Sequence, residues 1–253
     1  MEESDKRVGG KVVDIDYEST RRFFEQRAER PADTCAWTRV MYQDDNPQLA
    51  IARDQHEKDV VLPKLRLRST DRVLDVGCGV GRWALATAPL VMDYLGTDFS
   101  DGLLVRARDN LRDHSNVSFE CLAAQDVEQL ASRNAPFNRV ILAGILAYLN
   151  DADAERCLRG IAKVCSRTDA IVYLREPMGV KERLTLTNFW SGQLNAEYSA
   201  IYRSRQEYEL LLERTLTSQG FRVDLFANLY PEDLQNRVET SQFIVLLHRF
   251  GGG

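Results

Sequence analysis

Histidine is scarce in this chain of 253 residues: His56, His114 and His248 are the only three. Five cysteines (Cys35, Cys78, Cys121, Cys157 and Cys165) make an odd number with no CxxC spacing. A zinc site needs clustered thiols or imidazoles, so no metal is expected, and the cysteines read as buried free thiols. No apolar run approaches the roughly 18–20 residues that cross a bilayer. Residues 1–10 are charged where a leader would be basic and then apolar. A cytoplasmic protein with no membrane partner is the expectation. Basic excess is missing too: 33 Lys and Arg face 38 Asp and Glu, for a net charge of −5. A nucleic-acid binder normally shows a basic face, so nucleic acid is not expected as a partner. Internal repeats and low-complexity stretches are also lacking.

A hydrophobic content of 44% with 28% charged residues suits one globular domain with a full core. Residues 1–14 read as a flexible tail. A helix is expected over 17–30, ended by Pro31. Asn46 caps a second helix with Pro47 in its first turn, where a missing N–H costs nothing; this helix should reach about Leu62 and stop before Pro63. Residues 15–68 are too few to bury a core alone, so they are expected as a helical lid packed on a main domain, 69–253.

From Arg72 the pattern alternates. Strands are expected at 72–76, 91–97, 117–122, 138–143 and 170–174, with helices at 82–88, 100–112, 126–133 and 152–165. Interleaving of this kind argues for a Rossmann-like α/β sheet, mostly parallel, with helices on both faces. Residues 176–203 break the rhythm, and an insertion of that length is expected to be a lid or substrate loop. Ser204 and Glu207 have capping-box spacing, opening a helix to about Gln219. Strands at 221–226 and 242–248 close a seven-stranded sheet. No crossover helix separates these two, so they should pair antiparallel.

The stretch Val73-Leu74-Asp75-Val76-Gly77-Cys78-Gly79-Val80-Gly81 organises the rest. It places a glycine loop at the carboxyl end of a buried strand, where open α/β sheets bind ligands. A dinucleotide site wants G-x-G-x-x-G; counting from Gly77 gives Gly79 and then Arg82, so the third glycine is absent. An acid, Asp98, closes the next apolar run, and a carboxylate there can accept from two vicinal hydroxyls.

Leu74 to Gly81 resembles motif I of the class I S-adenosylmethionine-dependent methyltransferases, over residues of about 70 to 175 and more loosely to 248. The resemblance implies that Asp75, Gly77, Cys78 and Gly79 hold the methionine part and ribose of S-adenosylmethionine, whose product is S-adenosylhomocysteine. It further implies that Asp98, with Phe99 and Ser100, binds the ribose. Ala124, Gln125 and Asp126 stand where the family contacts adenine, and Ala143, Gly144 and Tyr148 where it flanks the sulfonium. Tyr17, Phe24 and Arg27 are similar to an N-terminal segment that closes over the donor in small-molecule members. Phe137-Asn138 departs from the family's frequent Phe-Asp.

Methyl transfer from a sulfonium is an in-line displacement, for which alignment and exclusion of water matter most. An acceptor pocket is expected from Trp37, Tyr42, Trp190, Tyr198 and Tyr202, since aromatics shape pockets and offer a polar tip. Arg39, Arg53, Arg175, Arg183 and Arg203 lie in or beside the same segments; clustered, they would suit an anionic acceptor, and Arg175 is the one taken as a substrate residue. An oxygen acceptor needs a general base and a neutral amine does not; His56, Tyr148 and Glu176 are the candidates. The expectation is a small-molecule N- or O-methyltransferase of a biosynthetic pathway, tailoring a natural product or a sugar, with a homodimer left open. The alternatives are a protein or peptide methyltransferase, a non-catalytic S-adenosylmethionine-binding protein, and transfer of a different group from an altered donor.

Overall fold

The structure is a computed structural model and describes residues 6–29, 38–41, 46–192 and 194–251. Trp37, Tyr42 and Cys35, the end of the first expected helix and its stop at Pro31 lie outside the described residues, as does the side chain of Arg39.

Seven strands form the central sheet: β2 (Arg72–Val76), β3 (Asp93–Asp98), β4 (Val117–Cys121), β5 (Arg139–Ala143), β6 (Asp169–Gly179), β9 (Arg222–Asn228) and β10 (Thr240–Phe250). Their order is β4-β3-β2-β5-β6-β10-β9. The first five are parallel, and β10 runs antiparallel between β6 and β9. The chain winds outward from β2 to one edge, then returns to start again at β5, so the loop after β2 sits at the switch point of the sheet.

Alternation along the strands divides the core. Leu74, Val76, Val140, Leu142, Val172 and Leu174 face one layer. That layer is closed by α6 (Asp151–Val164) and α7 (Arg205–Arg214). The α6 sequence places Ala154, Cys157, Leu158, Ile161 and Ala162 at helical spacing on its buried stripe. Val73, Ile141, Ile171 and Tyr173 face the other layer, with Val61 and Leu65 of α3 (Pro47–Leu65) and Trp83 and Ala84 of α4 (Arg82–Thr87). Asn46 caps α3 as expected, its side chain accepting from the Leu49 amide. The helix then runs through Pro63 instead of stopping before it. Pro63 and Asp59, whose carbonyl loses a donor, are both exposed, so water can compensate, and one more turn buries Leu65 completely.

Two segments differ from expectation. Arg7–Gly9 is a short strand, β1, and not part of a flexible tail; it pairs antiparallel with β7 (Leu184–Ser191). Its partner lies far away in sequence, and three residues carry no period of their own. The 176–203 stretch is not a loop. Glu176 to Gly179 extend β6, and β7 and β8 (Ala196–Tyr202) form a hairpin that completes a second, three-stranded sheet. This sheet backs α1 (Tyr17–Glu29): Phe23 and Phe24 pack with Leu186, Tyr198 and Ala200.

Candidate active site

A cavity of about 360 Å³ lies at the carboxyl ends of β2, β3, β5 and β6, walled by Gly77, Gly79, Asp98, Gly144 and Arg175 and bordered by Tyr17 and Phe24 of α1. This size is within the range of small-molecule and cofactor pockets.

The glycine loop makes the cavity possible. Gly77 has φ +74° and Gly79 φ +56°, a left-handed backbone that other residues adopt at a cost. A Cβ on Gly77 would stand 2.1 Å from Ile145 Cδ1, so the loop also packs against the segment after β5. The Gly77 and Cys78 amides both donate to the Thr97 carbonyl, at 2.7 and 2.8 Å, which ties the loop to the end of β3. Asp98 completes the tie: Oδ2 accepts from the Gly79 amide and Oδ1 from the Ser100 amide, each at 2.9 Å. Burial raises the Asp98 carboxyl to about 6 against the pull of those two amides. Asp75, beneath the loop, is raised by burial to about 7 despite the hydrogen bond it accepts from Tyr94 and the nearby Arg82.

The floor is charged, and sequence reasoning missed it. Arg82 Nη1 contacts Asp54 Oδ1 at 2.7 Å and Glu57 Oε2 at 2.9 Å. Glu57 also accepts from the Tyr173 hydroxyl at 2.6 Å and faces Arg175 Nε at 3.4 Å. Burial alone would lift the Glu57 carboxyl, but Arg82 and Arg175 override it and hold it down at about 2. Arg53, Asp54 and Glu57 occupy one face of α3, and that spacing was the available signal. Charged residues on a helix are ordinarily read as solvated, and here they point into the protein.

The roof is α1. Tyr17 lines the cavity and its hydroxyl donates to Asp153 Oδ2 at 2.6 Å while accepting from the Asn150 amide at 2.9 Å, which fixes the helix to the start of α6. The Phe24 ring stands edge-on to Phe99 at 5.5 Å and to Tyr148 at 5.0 Å, centroid to centroid.

Of the residues named from sequence, Tyr17, Phe24, Asp75, Gly77, Cys78, Gly79, Asp98 and Phe99 line this one cavity. So do Ala124, Gln125, Ala143, Gly144, Tyr148 and Arg175. The others stand elsewhere. Ser100 caps α5 (Asp101–Asn110) by accepting from the Leu103 amide. Asp126 turns away to pair with Arg156. Arg27 is buried against the Phe23 ring, 5.7 Å from its centroid. His56 lies behind the cavity, its Nε2 3.0 Å from the Leu229 carbonyl. Glu176 is spent on three amides, those of Ile145, Leu146 and Ala147, at 2.9 to 3.2 Å. Neither His56 nor Glu176 is placed to take a proton in the cavity; Glu176 instead positions the backbone after β5.

Trp190 is half exposed on β7, and Tyr198 and Tyr202 share a hydroxyl contact of 3.2 Å behind α1. None of the three reaches the cavity. Arg183 and Arg203 are committed to Asp151, Arg183 also to Glu207, and Arg203 to the Leu146 and Leu149 carbonyls. Among the described residues no group of three or more His, Cys, Asp or Glu is arranged to hold a metal, and no helix is long and apolar enough to cross a membrane.

Comparison with known proteins agrees with this geometry. Residues 73–168, from β2 to the turn before β6, match the family model described as a methyltransferase domain. A curated relative, the 23S rRNA (uracil(1939)-C(5))-methyltransferase RlmD of Photobacterium profundum, is 28% identical over 120 residues, 43% of this chain and 26% of that protein. The chain thus spans about a quarter of the length of that relative. Among solved structures, phosphoethanolamine N-methyltransferase 1 of Haemonchus contortus, with phosphoethanolamine and S-adenosylhomocysteine, superposes with a TM-score of 0.67 at 17% identity, over 93% of this chain and 49% of that one. Magnesium protoporphyrin IX methyltransferase of Synechocystis PCC 6803, with bound S-adenosylmethionine, gives 0.59 at 14% identity, over 92% and 93%. Residues 73–168 are thus similar to a methyltransferase domain, and the chain has the Rossmann-like fold seen in these solved methyltransferases.

Proposed function

We propose that this chain uses S-adenosylmethionine to methylate an N or O atom of a small-molecule acceptor, by in-line displacement. The observation that carries the donor assignment is the single hydrogen-bonded unit of Gly79 and Asp98 on one cavity wall. The residues present fit the donor. Gly77 and Gly79 let the backbone itself form the wall beside Asp98, and the two Asp98 oxygens, which accept the Gly79 and Ser100 amides, keep lone pairs for the ribose hydroxyls. The Trp83 indole Nε1, of a residue on the same wall, is buried with no hydrogen-bond partner. Ala124 and Gln125 are assigned to the adenine side, and Gly144 and Tyr148 to the sulfonium side. When bound, the donor supplies an electrophilic methyl on a sulfonium.

The chain's own contribution is alignment. Glu176 fixes Ile145 to Ala147, Asp98 fixes the loop, and α1 excludes water from above. Tyr148 is the one of the three base candidates on the cavity wall, so proton removal by a histidine or a carboxylate is not part of this proposal; an amine acceptor needs none.

Two observations favour an N or O acceptor over the uracil carbon named for the curated relatives. The match covers about a quarter of such a relative. Transfer to an sp² ring carbon also calls for a strong nucleophile to activate the ring. Cys78, the one cysteine on the cavity wall among the described residues, is buried, and its thiol is pushed well up by desolvation and by Asp75 and Asp98. Calorimetry with S-adenosylhomocysteine tests the donor. Binding to wild type that weakens by more than about tenfold in Asp98→Ala supports it; tight NAD binding with no response to S-adenosylhomocysteine would sink it. For the acceptor class, methyl transfer to bulk rRNA with none to small amines or hydroxyl compounds would replace the small-molecule proposal with the RNA one.

A further inference from the structure

Helix α1 presents Tyr17, Arg21 and Phe24 to the donor cavity, a spacing of four and then three residues that puts all three on one face. The helix is held there from both ends. Tyr17 is tied to Asp153 and to the Asn150 amide. Just before it, the Ile15 amide donates to Asn150 Oδ1 at 2.8 Å, and Asn150 Nδ2 donates to the Ile15 carbonyl at 3.2 Å. Toward its far end α1 lies close on α5: a Cβ on Gly102 would stand 2.9 Å from Ala28 Cβ. Between these anchors Phe24 meets Phe99 and Tyr148 edge-on. Arg21 is exposed on the helix, and this docking sets where its side chain can reach.

The Arg21 guanidinium lies over the Phe99 ring, 5.5 Å from its centroid. Phe99 directly follows Asp98, the acid assigned to the ribose, so ring and guanidinium stand beside the nucleoside part of the cavity. The Arg21 charge is also felt at Cys121, the last residue of β4, where it opposes the rise of the thiol. The chain after Cys121 supplies Leu122 to Gln125, which line the same cavity and include the pair assigned to adenine. Two independent contacts thus place the guanidinium at the adenine end. A guanidinium is planar and stacks on aromatic faces, and a purine offers such a face whatever its edges bond.

We infer that Arg21 is a donor-binding residue: it closes the adenine end of the cavity as a cation over the purine face, with Phe99 as the ring that holds the guanidinium in place. The inference rests on the methyl-transfer proposal above and deepens it, adding a residue of α1 that acts on the nucleoside and not on the methionine carboxylate. Arg27, the arginine of α1 expected from the sequence to close over the donor, is instead buried against Phe23.

The test is calorimetry of the full chain with two probes, S-adenosylhomocysteine and 5′-methylthioadenosine, which keeps the nucleoside and has no amino-acid carboxylate. Arg21→Ala is expected to weaken both by the same factor, about fivefold to tenfold. Arg21→Lys keeps the charge and loses the planar stack, so its affinities are expected to fall between those of wild type and Arg21→Ala. Arg21 is exposed, so both variants are expected to fold, which circular dichroism checks. Unchanged affinity for both probes in Arg21→Ala overturns the inference. A loss confined to S-adenosylhomocysteine also overturns it, because Arg21 would then act at the carboxylate. Failure of 5′-methylthioadenosine to bind a wild type that binds S-adenosylhomocysteine counts against it in the same way, since a capped adenine end should hold the nucleoside alone. Absence of S-adenosylhomocysteine binding in wild type is a distinct result: it removes the donor assignment, and this inference with it.

Discussion

Asp98 Oδ2 accepts the Gly79 amide proton at 2.9 Å, so the acid that ends β3 and the glycine loop that follows β2 are one unit. The same carboxylate holds the Ser100 amide, which starts α5. Loss of the carboxylate therefore removes both a ligand contact and the brace of the loop. Asp98→Asn, which keeps the shape but replaces one oxygen with a donor, is expected to weaken S-adenosylhomocysteine by about tenfold or more, with little change in fold by circular dichroism. Calorimetry checks it.

Asp98 also sets a pH dependence. Burial raises its carboxyl to about 6, so at pH 5 most of it is protonated and at pH 7 most is ionised. Hydroxyl donors favour the ionised form, and S-adenosylhomocysteine affinity is expected to rise about tenfold from pH 5 to pH 7. Asp98→Asn should flatten that slope. An unchanged slope in the variant would assign the pH effect to another group.

Asp75 acts on stability in the opposite sense to a salt-bridged acid. Its ordinary value of 3.8 is raised by burial to about 7 in the folded state. Between those limits the folded state binds the extra proton, so its contribution is present below about pH 4 and is lost as pH rises through about 7. The melting temperature of wild type is expected to fall from pH 5 to pH 8, and Asp75→Asn, which cannot ionise, to fall less over the same interval. Glu57 runs the other way. Held near 2 in the folded state against 4.5, it contributes above about pH 4.5 and fails as pH drops toward 2. Glu57→Gln leaves the buried Arg175 without its carboxylate and Arg82 with Asp54 alone, and is expected to cost about 3–5 kcal/mol by urea titration at pH 7.

Gly77→Ala faces two penalties, a left-handed backbone at φ +74° and overlap with Ile145. Together they are expected to cost about 2–4 kcal/mol, with S-adenosylhomocysteine binding lost in proportion. Adding Ile145→Ala should recover the overlap part only. Full recovery in the double variant would show that the backbone angle costs nothing.

His56→Ala and Glu176→Gln separate positioning from proton transfer. His56 touches the Leu229 carbonyl and not the cavity, so its removal is expected to leave donor affinity and the pH–rate profile unchanged. Glu176→Gln loses at least one of three buried amide contacts and is expected to lower stability by about 1–3 kcal/mol and donor affinity with it. If either variant removed an ionisation from the pH–rate profile of a bound donor complex, that residue would be the base after all.

The amino-acid sequence by itself determined the donor half. Alternating apolar runs specify parallel strands, and a glycine loop with an acid one strand later reads without knowledge of the rest, because both rest on local backbone geometry and on neighbouring strands. Gly77, Gly79, Asp98, Gln125 and Gly144 accordingly meet in one cavity. Tertiary structure alone decided where the remaining named residues stand. The 176–203 stretch pairs with Arg7–Gly9, more than 170 residues away, so its aromatics back a helix instead of lining a pocket. Glu176 became an anchor because the turn after β5 needed an acceptor for three amides. The α3 residues Arg53, Asp54 and Glu57 look like a solvated face in sequence, and only the packing of that helix against β6 and the chain before β10 turns them inward. Long-range pairing and burial of charge leave no periodic trace along a chain, and in this protein they decide which side chains back the sheet and which line its cavity.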